Sequence, residues 1–483
     1  MLHITEESIK LRIIHTNDIH SHFEQMPHMA SWIRSLKEDA GAEHTVVLDI
    51  GDHIDRMRPE TEGTEGMANV AVLNASGYDA ITLGNNEGLT YTSEVLEKLY
   101  GQQAKCQVVL ANLLERTTGD VPSWMKRWHI LEKSGIRIGL VGVTAPFTEF
   151  YRLLGWDVTD PFDAVREAVH QLRPITDVII VMSHLGIRSD ERLAEEIPGI
   201  HVILGGHTHH LLTEPLYAGG AWICATGKFG QYVGSVDLQI DRSTGKVELI
   251  GTVVHPSQEA RPDPELLSIV DAYRKQSKEA LSREVVTLDR DMPADWYGES
   301  PLGNLLAEGL RERAGAQIGL VNAGQLLGGP PQGPVTAGSL LQLCPSPINP
   351  CRMTLTGEQI WQALEESLLP EFMGKPLYGF GFRGKVLGTL CLAGIVVEYD
   401  HARPPYSKLV SVFVGNEQLQ LERSYSVGTI DMFTFGIGYM SIGQGTDVEY
   451  YLPEFIRDIL LERLRSPQAL AESALKRWRS MPV

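Results

Sequence analysis

Five short segments of this chain carry side chains able to hold divalent cations. In His15-Thr16-Asn17-Asp18-Ile19-His20, Asp18 and His20 stand two residues apart, and on an extended strand end that spacing turns both to one side. Asp52, in Gly51-Asp52, has two oxygens that can bridge a pair of cations. Asn85, in Gly84-Asn85-Asn86-Glu87-Gly88-Leu89, offers a neutral amide oxygen. His184 and the pair His207 and His209, again two apart, supply imidazole nitrogens. Two divalent ions need roughly eight to twelve donor positions, which these seven side chains with water and substrate oxygens can fill. A nitrogen and oxygen set without thiolate suits Mn, Zn, Fe or Co, and its imidazole count argues against Ca or Mg alone. The chemistry such a set serves is hydrolysis at a dinuclear metal centre.

The elements that must position these residues alternate between strand and helix. Apolar strand runs are expected at 11–15, 45–50, 80–83, 178–182 and 201–204, with helical spacing at 29–37 and 67–75. Each strand run ends in one of the ligand-bearing segments. In α/β sheets ligands gather outside the carboxyl ends of strands, so these termini should converge. A lone Asp-x-His or Gly-Asp arises often by chance; five such segments in this order, each after a strand, do not. The runs 222–226, 232–240 and 247–254 are expected as antiparallel strands closing the layer.

At 483 residues the chain exceeds one ordinary core, since a domain takes about 100–200 residues. The segment HPSQEARPDP reads as a linker, and 265–281 as an amphipathic helix bridging two domains. The expected division is a metal-binding domain over 1–257, a linker helix over 258–284 and a second domain over 285–483. The net charge of −19 argues against non-specific nucleic-acid binding. A small anionic substrate remains compatible, because metals and arginines invert the sign locally. The opening lacks the apolar core of a secretory signal, and no run is long enough to span a membrane. The five cysteines are scattered, without a CxxC pair, and read as thiols of a reducing cytoplasm.

Together these motifs resemble the metallophosphoesterases of the 5′-nucleotidase and UDP-sugar hydrolase family, along nearly the whole chain. The resemblance implies an α/β N-terminal domain, a four-layer αββα sandwich with two metals, and a C-terminal α+β domain that recognises the nucleotide. One metal would take Asp18, His20, Asp52 and His209, and the other Asp52, Asn85, His184 and His207, with Asp52 shared. A metal-activated hydroxide would attack a phosphate ester or pyrophosphate of a nucleotide or nucleotide-sugar. A cyclic-nucleotide phosphodiesterase of the same superfamily is an alternative, as is a weakened nucleotide-binding sensor.

The chain departs from the family at the third loop, normally Gly-Asn-His-Glu followed by an aromatic and Asp. The family's histidine contacts the phosphoryl group and leaving oxygen, and its Asp orients that histidine. Here the two positions are Asn86 and Leu89, a combination that resembles the cytoplasmic YunD-type branch. Asn can donate a hydrogen bond but no proton, and losing a general acid costs about 10²–10⁴-fold. Leaving groups that depart unprotonated suffer least, which favours pyrophosphates and activated esters. His53, His22 and His210, each beside a ligand in sequence, are candidates to replace the missing group.

In the second domain Glu299-Ser300-Pro301-Leu302-Gly303-Asn304-Leu305 resembles the family's E-S-x-L-G-N-L opening. Asn322 begins a segment placed where N-G-G-G-I-R is usual, and the family's phosphate-binding arginine is Leu327 here. The run GFGFRG at 379–384 fits GxGxxG formally, but no apolar strand precedes it and no helix follows, which discounts a dinucleotide fold. Its place matches the family's substrate loop, where Arg383 could pair with phosphate and Phe380 or Phe382 stack on a base. Phe435 and Tyr439 are the matching candidates in the family's second aromatic segment.

Overall fold

The structure, a computed structural model, describes residues 8–481. Residues 1–7, part of the opening in which no secretory segment is expected, lie outside the described residues. The chain divides into two compact units, one ending at Ser277 and the next beginning at Lys278.

The first unit is built on two sheets. One has seven strands, in the order Lys246–Pro256, Tyr232–Asp241, Ser8–Thr16, Thr45–Asp49, Ala80–Ile81, Gln107–Val109 and Met125–Lys126. From Ser8–Thr16 to Met125–Lys126 the strands run parallel, while Tyr232–Asp241 and Lys246–Pro256 add antiparallel. The other has six, in the order Leu216–Ala218, Ala221–Cys224, Val202–Gly205, Val178–His184, Ile136–Thr144 and Trp128–Lys133. Leu11, Ile13, Val46 and Leu48 from one sheet meet Ile138, Leu140, Ile180 and Met182 from the other in a shared core. Alternate residues turn outward. Val141, Val143, Ile179 and Val181 pack against Val165, Val169 and Leu172 of helix Pro161–Leu172 and Leu193 of helix Ile187–Glu196. Helix Met26–Ala40 buries Met29, Ala30, Ile33 and Leu36 along its inner stripe. The result is four layers, helix–sheet–sheet–helix. Each large aliphatic so buried contributes about 1.5–3 kcal/mol relative to exposure.

Two sequence expectations differ from the fold. The strand anticipated near 222–226 is Ala221–Cys224, paired parallel to Val202–Gly205 in the second sheet. Ile136–Thr144 is buried along nearly its whole length, so it lacks the alternation that marks a half-buried strand. Helix Pro264–Leu281, expected as a linker, packs for most of its length on the first unit. Leu266 and Val270 are buried, Asp263 pairs with Arg34 at 2.6 Å, and the Ser277 hydroxyl donates to the Pro59 carbonyl.

The second unit centres on a five-stranded sheet in the order Leu390–Ala393, Ile318–Asn322, Ser424–Ile430, Pro350–Thr356 and Thr446–Tyr450. Helix Pro301–Arg313 covers it, burying Leu302, Leu305, Leu306 and Leu310; Ser300 caps the helix by accepting from the Gly303 N–H. Thr356 forms a capping box with Gln359 at the start of helix Gly357–Glu366. The unit also holds a four-stranded sheet, Glu417–Gln418, Leu409–Val414, Ile395–Tyr399 and Trp478–Ser480, and a two-stranded one, Glu284–Leu288 with Gly333–Thr336.

Candidate metal centre

Strand register brings the ligand-bearing segments of the first unit to one level. His15 lies opposite Leu48 and Thr16 opposite Asp49, and Asp49 is in turn opposite Ile81. In the second sheet His184 is level with Thr144, and Ser183 with Gly205. Beyond these ends the chain turns sharply. Asp18, His20, Asp52, His207 and His209 all have left-handed backbone, with φ between 48° and 73°. Asp, Asn and His tolerate that region better than other non-glycine residues, yet a strained conformation still costs about 1–3 kcal/mol. Cross-loop hydrogen bonds hold the turns. The Asp18 N–H donates to Gly51 O at 3.0 Å, the His20 N–H to Asp52 O at 2.8 Å, and the His207 N–H to Asp18 Oδ2 at 2.9 Å.

Glu87 fastens the third loop to the second. Its carboxylate accepts from the backbone N–H groups of Gly84, Asp52 and Ile54 at 2.9, 3.0 and 2.8 Å. Gly84 must be glycine, because a Cβ there would lie 2.1 Å from Asp52 Oδ1.

The candidate ligands form two overlapping groups. Ligating atoms of Asp18, His20 and His209 lie within 4.8 Å of one another, as do those of Asp18, Asp52 and His184. Nε2 of His20 and Nε2 of His209 are 3.1 Å apart, both close to Asp18 Oδ1. Asp52 turns one oxygen to each group: Oδ2 lies 3.9 Å from His20 Nε2, and Oδ1 lies 3.4 Å from His184 Nε2. Asn85 Oδ1 and His184 Nε2 are buried and make no hydrogen bond. Buried polar atoms are rarely left so, and both are of the type that a cation accepts. His184 Nδ1 donates to Ile50 O at 2.8 Å, which frees Nε2 for ligation. The His207 ring centroid is 5.3 Å from that of His184. Burial, then the charge of His184, holds His207 down at about 4, so it is neutral at pH 7 and able to ligate. This donor set fits divalent cations.

Comparison with known proteins agrees with this geometry. Residues 11–211 match the calcineurin-like phosphoesterase family and residues 279–441 the 5′-nucleotidase C-terminal domain family. Over 459 residues the chain is 36% identical to the "Uncharacterized metallophosphoesterase YunD" of Bacillus subtilis (strain 168), covering 94% of this chain and 99% of that protein. The chain belongs to the 5′-nucleotidase family of metallophosphoesterases. Its fold is shared with the NAD nucleotidase (NadN) of Haemophilus influenzae, at TM-score 0.71 and 17% identity, covering 99% of this chain and 100% of that one. The 5′-nucleotidase precursor of Thermus thermophilus is similar at TM-score 0.60 and 21% identity, over 98% and 100%. As a metallophosphoesterase the chain is a metal-dependent phosphoester hydrolase, and its family implies divalent metal ions and small-molecule nucleotide substrates.

Within this metallophosphoesterase the candidate catalytic residues meet different fates. The Asn86 side-chain amide is committed: Nδ2 donates to Ile54 O at 3.0 Å and lies 2.9 Å from His20 Nδ1. His53 is buried, with Nδ1 3.3 Å from Asn69 Nδ2, and burial lowers it to about 3. Burial thus disfavours its charged form. His210 is exposed, with Nδ1 2.9 Å from the Thr208 hydroxyl. His22 stacks on Phe229 at 4.2 Å between centroids, and its Nδ1 donates to the carbonyls of Ile19 and His20.

Several substrate candidates in the second unit require correction. Tyr439 is fully buried, donating its hydroxyl to Gly388 O at 2.6 Å, and Phe382 lies in the same core. Asn322 is buried too, donating to Leu387 O at 2.7 Å and accepting from Gln325. In this conformation these three side chains serve packing. Phe380 and Phe435 instead are 50% and 38% exposed, with ring centroids 5.6 Å apart. Arg383, three residues after Phe380, is half-buried, with its backbone N–H on the Ser346 hydroxyl. Sequence reasoning missed Phe229 and Phe147. Phe229 sits 5.7 Å from the His20 ring and 6.3 Å from His209, and Phe147 6.1 Å from His207. Neither carries a spacing signal that would have revealed it.

Proposed function

We propose that this metallophosphoesterase hydrolyses phosphoanhydrides and activated phosphate esters, chiefly of nucleotides or nucleotide-sugars, at two divalent cations. One observation carries the reading: Asp52 turns a separate oxygen to each of two imidazole groups, the disposition of a bridging carboxylate. Asp18, His20, Asp52 and His209 would hold one cation, and Asp52, Asn85, His184 and His207 the other. Bound there, the cations supply charge neutralisation at the phosphoryl group and a water nucleophile active near neutral pH. Asp18 and Asp52 position the imidazoles, and Glu87 fixes the loop from which Asn85 projects. Asn86 has no proton to give, so the leaving group departs with its charge. Pyrophosphate and aryl leaving groups tolerate that best. Phe380 and Phe435 offer exposed ring faces for a base, and Arg383 a guanidinium for phosphate. A cytoplasmic setting is supported by five free, buried cysteines. No described helix is long and apolar enough to cross a membrane.

The test is a turnover screen of protein reconstituted with Mn, Co or Zn. It should cover nucleoside mono-, di- and triphosphates, nucleotide-sugars, aryl phosphates and cyclic nucleotides, with Asp52→Ala as the control. Diphosphates and aryl phosphates should turn over fastest; a strong preference for nucleoside monophosphates overturns the leaving-group argument. A second reading, a nucleotide sensor that turns over poorly, is favoured by the committed amide of Asn86 and by Leu327 in the family's arginine position. Metal and nucleotide binding without turnover would establish it.

A further inference from the structure

His20 has a second nitrogen whose surroundings bear on the metal reading. Given Nε2 to a cation, a neutral imidazole carries its proton on Nδ1 and needs an acceptor there. Two of the groups that face Nδ1 belong to Asn86 and Asp55. Asn86 Nδ2 lies at 2.9 Å and Asp55 Oδ2 at 3.8 Å. The Asn86 amide is oriented by others: its NH2 donates to Ile54 O, and its oxygen accepts from Asn85 Nδ2 at 3.3 Å. It therefore presents a donor to Nδ1. That contact is good only while Nδ1 is itself the acceptor, with the ring proton on Nε2, and two donors cannot bond.

Asp55 is the complementary group. It is 3% exposed, its Oδ1 accepts from the Met57 N–H at 3.0 Å, and its own N–H is tied to the Ser21 hydroxyl at 2.7 Å. Ser21 is locked in turn by Thr61 and Asn69. The backbone of Asp55 is thus held at its N–H, and its Oδ2 lies 3.8 Å from His20 Nδ1.

We propose that Asp55 is the positioning carboxylate of His20, and that Asn86 and Asp55 hold the imidazole in alternation. With the ring proton on Nε2, Asn86 donates to Nδ1. With Nε2 given to a cation, the proton stands on Nδ1 and the bond passes to Asp55, releasing the Asn86 contact. The imidazole stays neutral throughout: the proton that leaves Nε2 is matched by one taken up at Nδ1, so the exchange releases no net proton. A carboxylate behind a ligating imidazole raises its basicity and fixes its tautomer. The residue in the family's histidine position is thereby freed from His20 only when the centre is loaded.

The inference rests on the metal reading above, and titration calorimetry with Mn and with Zn separates the two. Wild-type protein that binds no divalent ion overturns both. Given binding, Asp55→Asn and Asp55→Ala should weaken one of two binding steps by about 10–100-fold, leaving the other unchanged. Asn86→Ala should act in the opposite sense, tightening that step a few-fold, because it removes a contact made only in the metal-free state. A general loss of structure would weaken both steps in all three variants. Equal affinity in wild type and both Asp55 variants overturns this inference alone. Should the Asp55 variants fail to fold, nitrogen NMR of wild-type histidines decides it: the zinc-loaded His20 must carry its proton on Nδ1, and an unprotonated Nδ1 overturns the proposal.

Discussion

Nε2 of His184 stands 3.4 Å from Oδ1 of Asp52 in a site where both side chains are almost fully buried. Burial alone would neutralise the pair. The Asp52 charge instead holds His184 up, at about 10, and the His184 charge holds Asp52 well below the usual carboxylate range. In the metal-free protein a proton thus occupies the place that a cation would take. Metal uptake at pH 7 should release it. Affinity should rise with pH by up to about tenfold per unit for each proton displaced. Calorimetry in buffers of different ionisation heats measures the release, and uptake without proton release contradicts this account.

Asp52→Asn keeps the size and the acceptor for the Asn86 N–H, bonded at 2.7 Å, but removes the bridging charge. Turnover should fall on the order of 10³-fold. Retained turnover would place the chemistry elsewhere.

Asn86→His combined with Leu89→Asp restores both members of the family's dyad on helix Asn85–Thr90. The gain should reach about 10²–10⁴-fold for nucleoside monophosphates, whose leaving alkoxide needs a proton, and be small for aryl phosphates. Rates for several leaving-group pKa values give the slope directly; an equal gain across the series contradicts the assigned role.

Asp431 in the second unit gives a stability test far from the ligands in sequence. It is buried, one oxygen has no hydrogen-bond partner, and burial pushes it up to about 7. Between about pH 4 and 7 the folded chain holds a proton that the unfolded chain has lost, so stability from this group falls as pH rises through that window. Above 7 the loss is complete. Asp431→Asn should therefore be more stable than wild type by on the order of 1–4 kcal/mol at pH 8, with the advantage gone near pH 4. Denaturant melts at the two pH values check it, and a pH-independent difference removes the carboxyl as the cause.

Legibility from sequence followed the kind of signal each residue leaves. The seven ligand candidates were visible because metal ligation dictates residue type and strand ends dictate position. Six of them, all but Asn85, are tied together in the structure by measured distances or ring contacts. The second sheet was only partly legible, since Ile136–Thr144 is buried on both faces and shows no alternation. Tyr439 and Phe382 misled because an aromatic beside glycines looks the same in a core as on a binding face. Asp55 could not be singled out: its role depends on Ser21 and His20, which reach it only through the folded chain.

The left-handed turns at Asp18, His20, Asp52, His207 and His209 also govern which mutations the site can accept. A β-branched or bulky residue at any of these positions pays a steric penalty before its chemistry matters, so change there is channelled among Asp, Asn, His and Gly. Asn86 lies under no such restriction, being an ordinary helical residue in Asn85–Thr90. The backbone therefore resists drift in five of the seven residues that would grip the metals and permits it in the one that would assist the leaving group. Divergence of substrate preference without loss of the centre is the path this architecture leaves open.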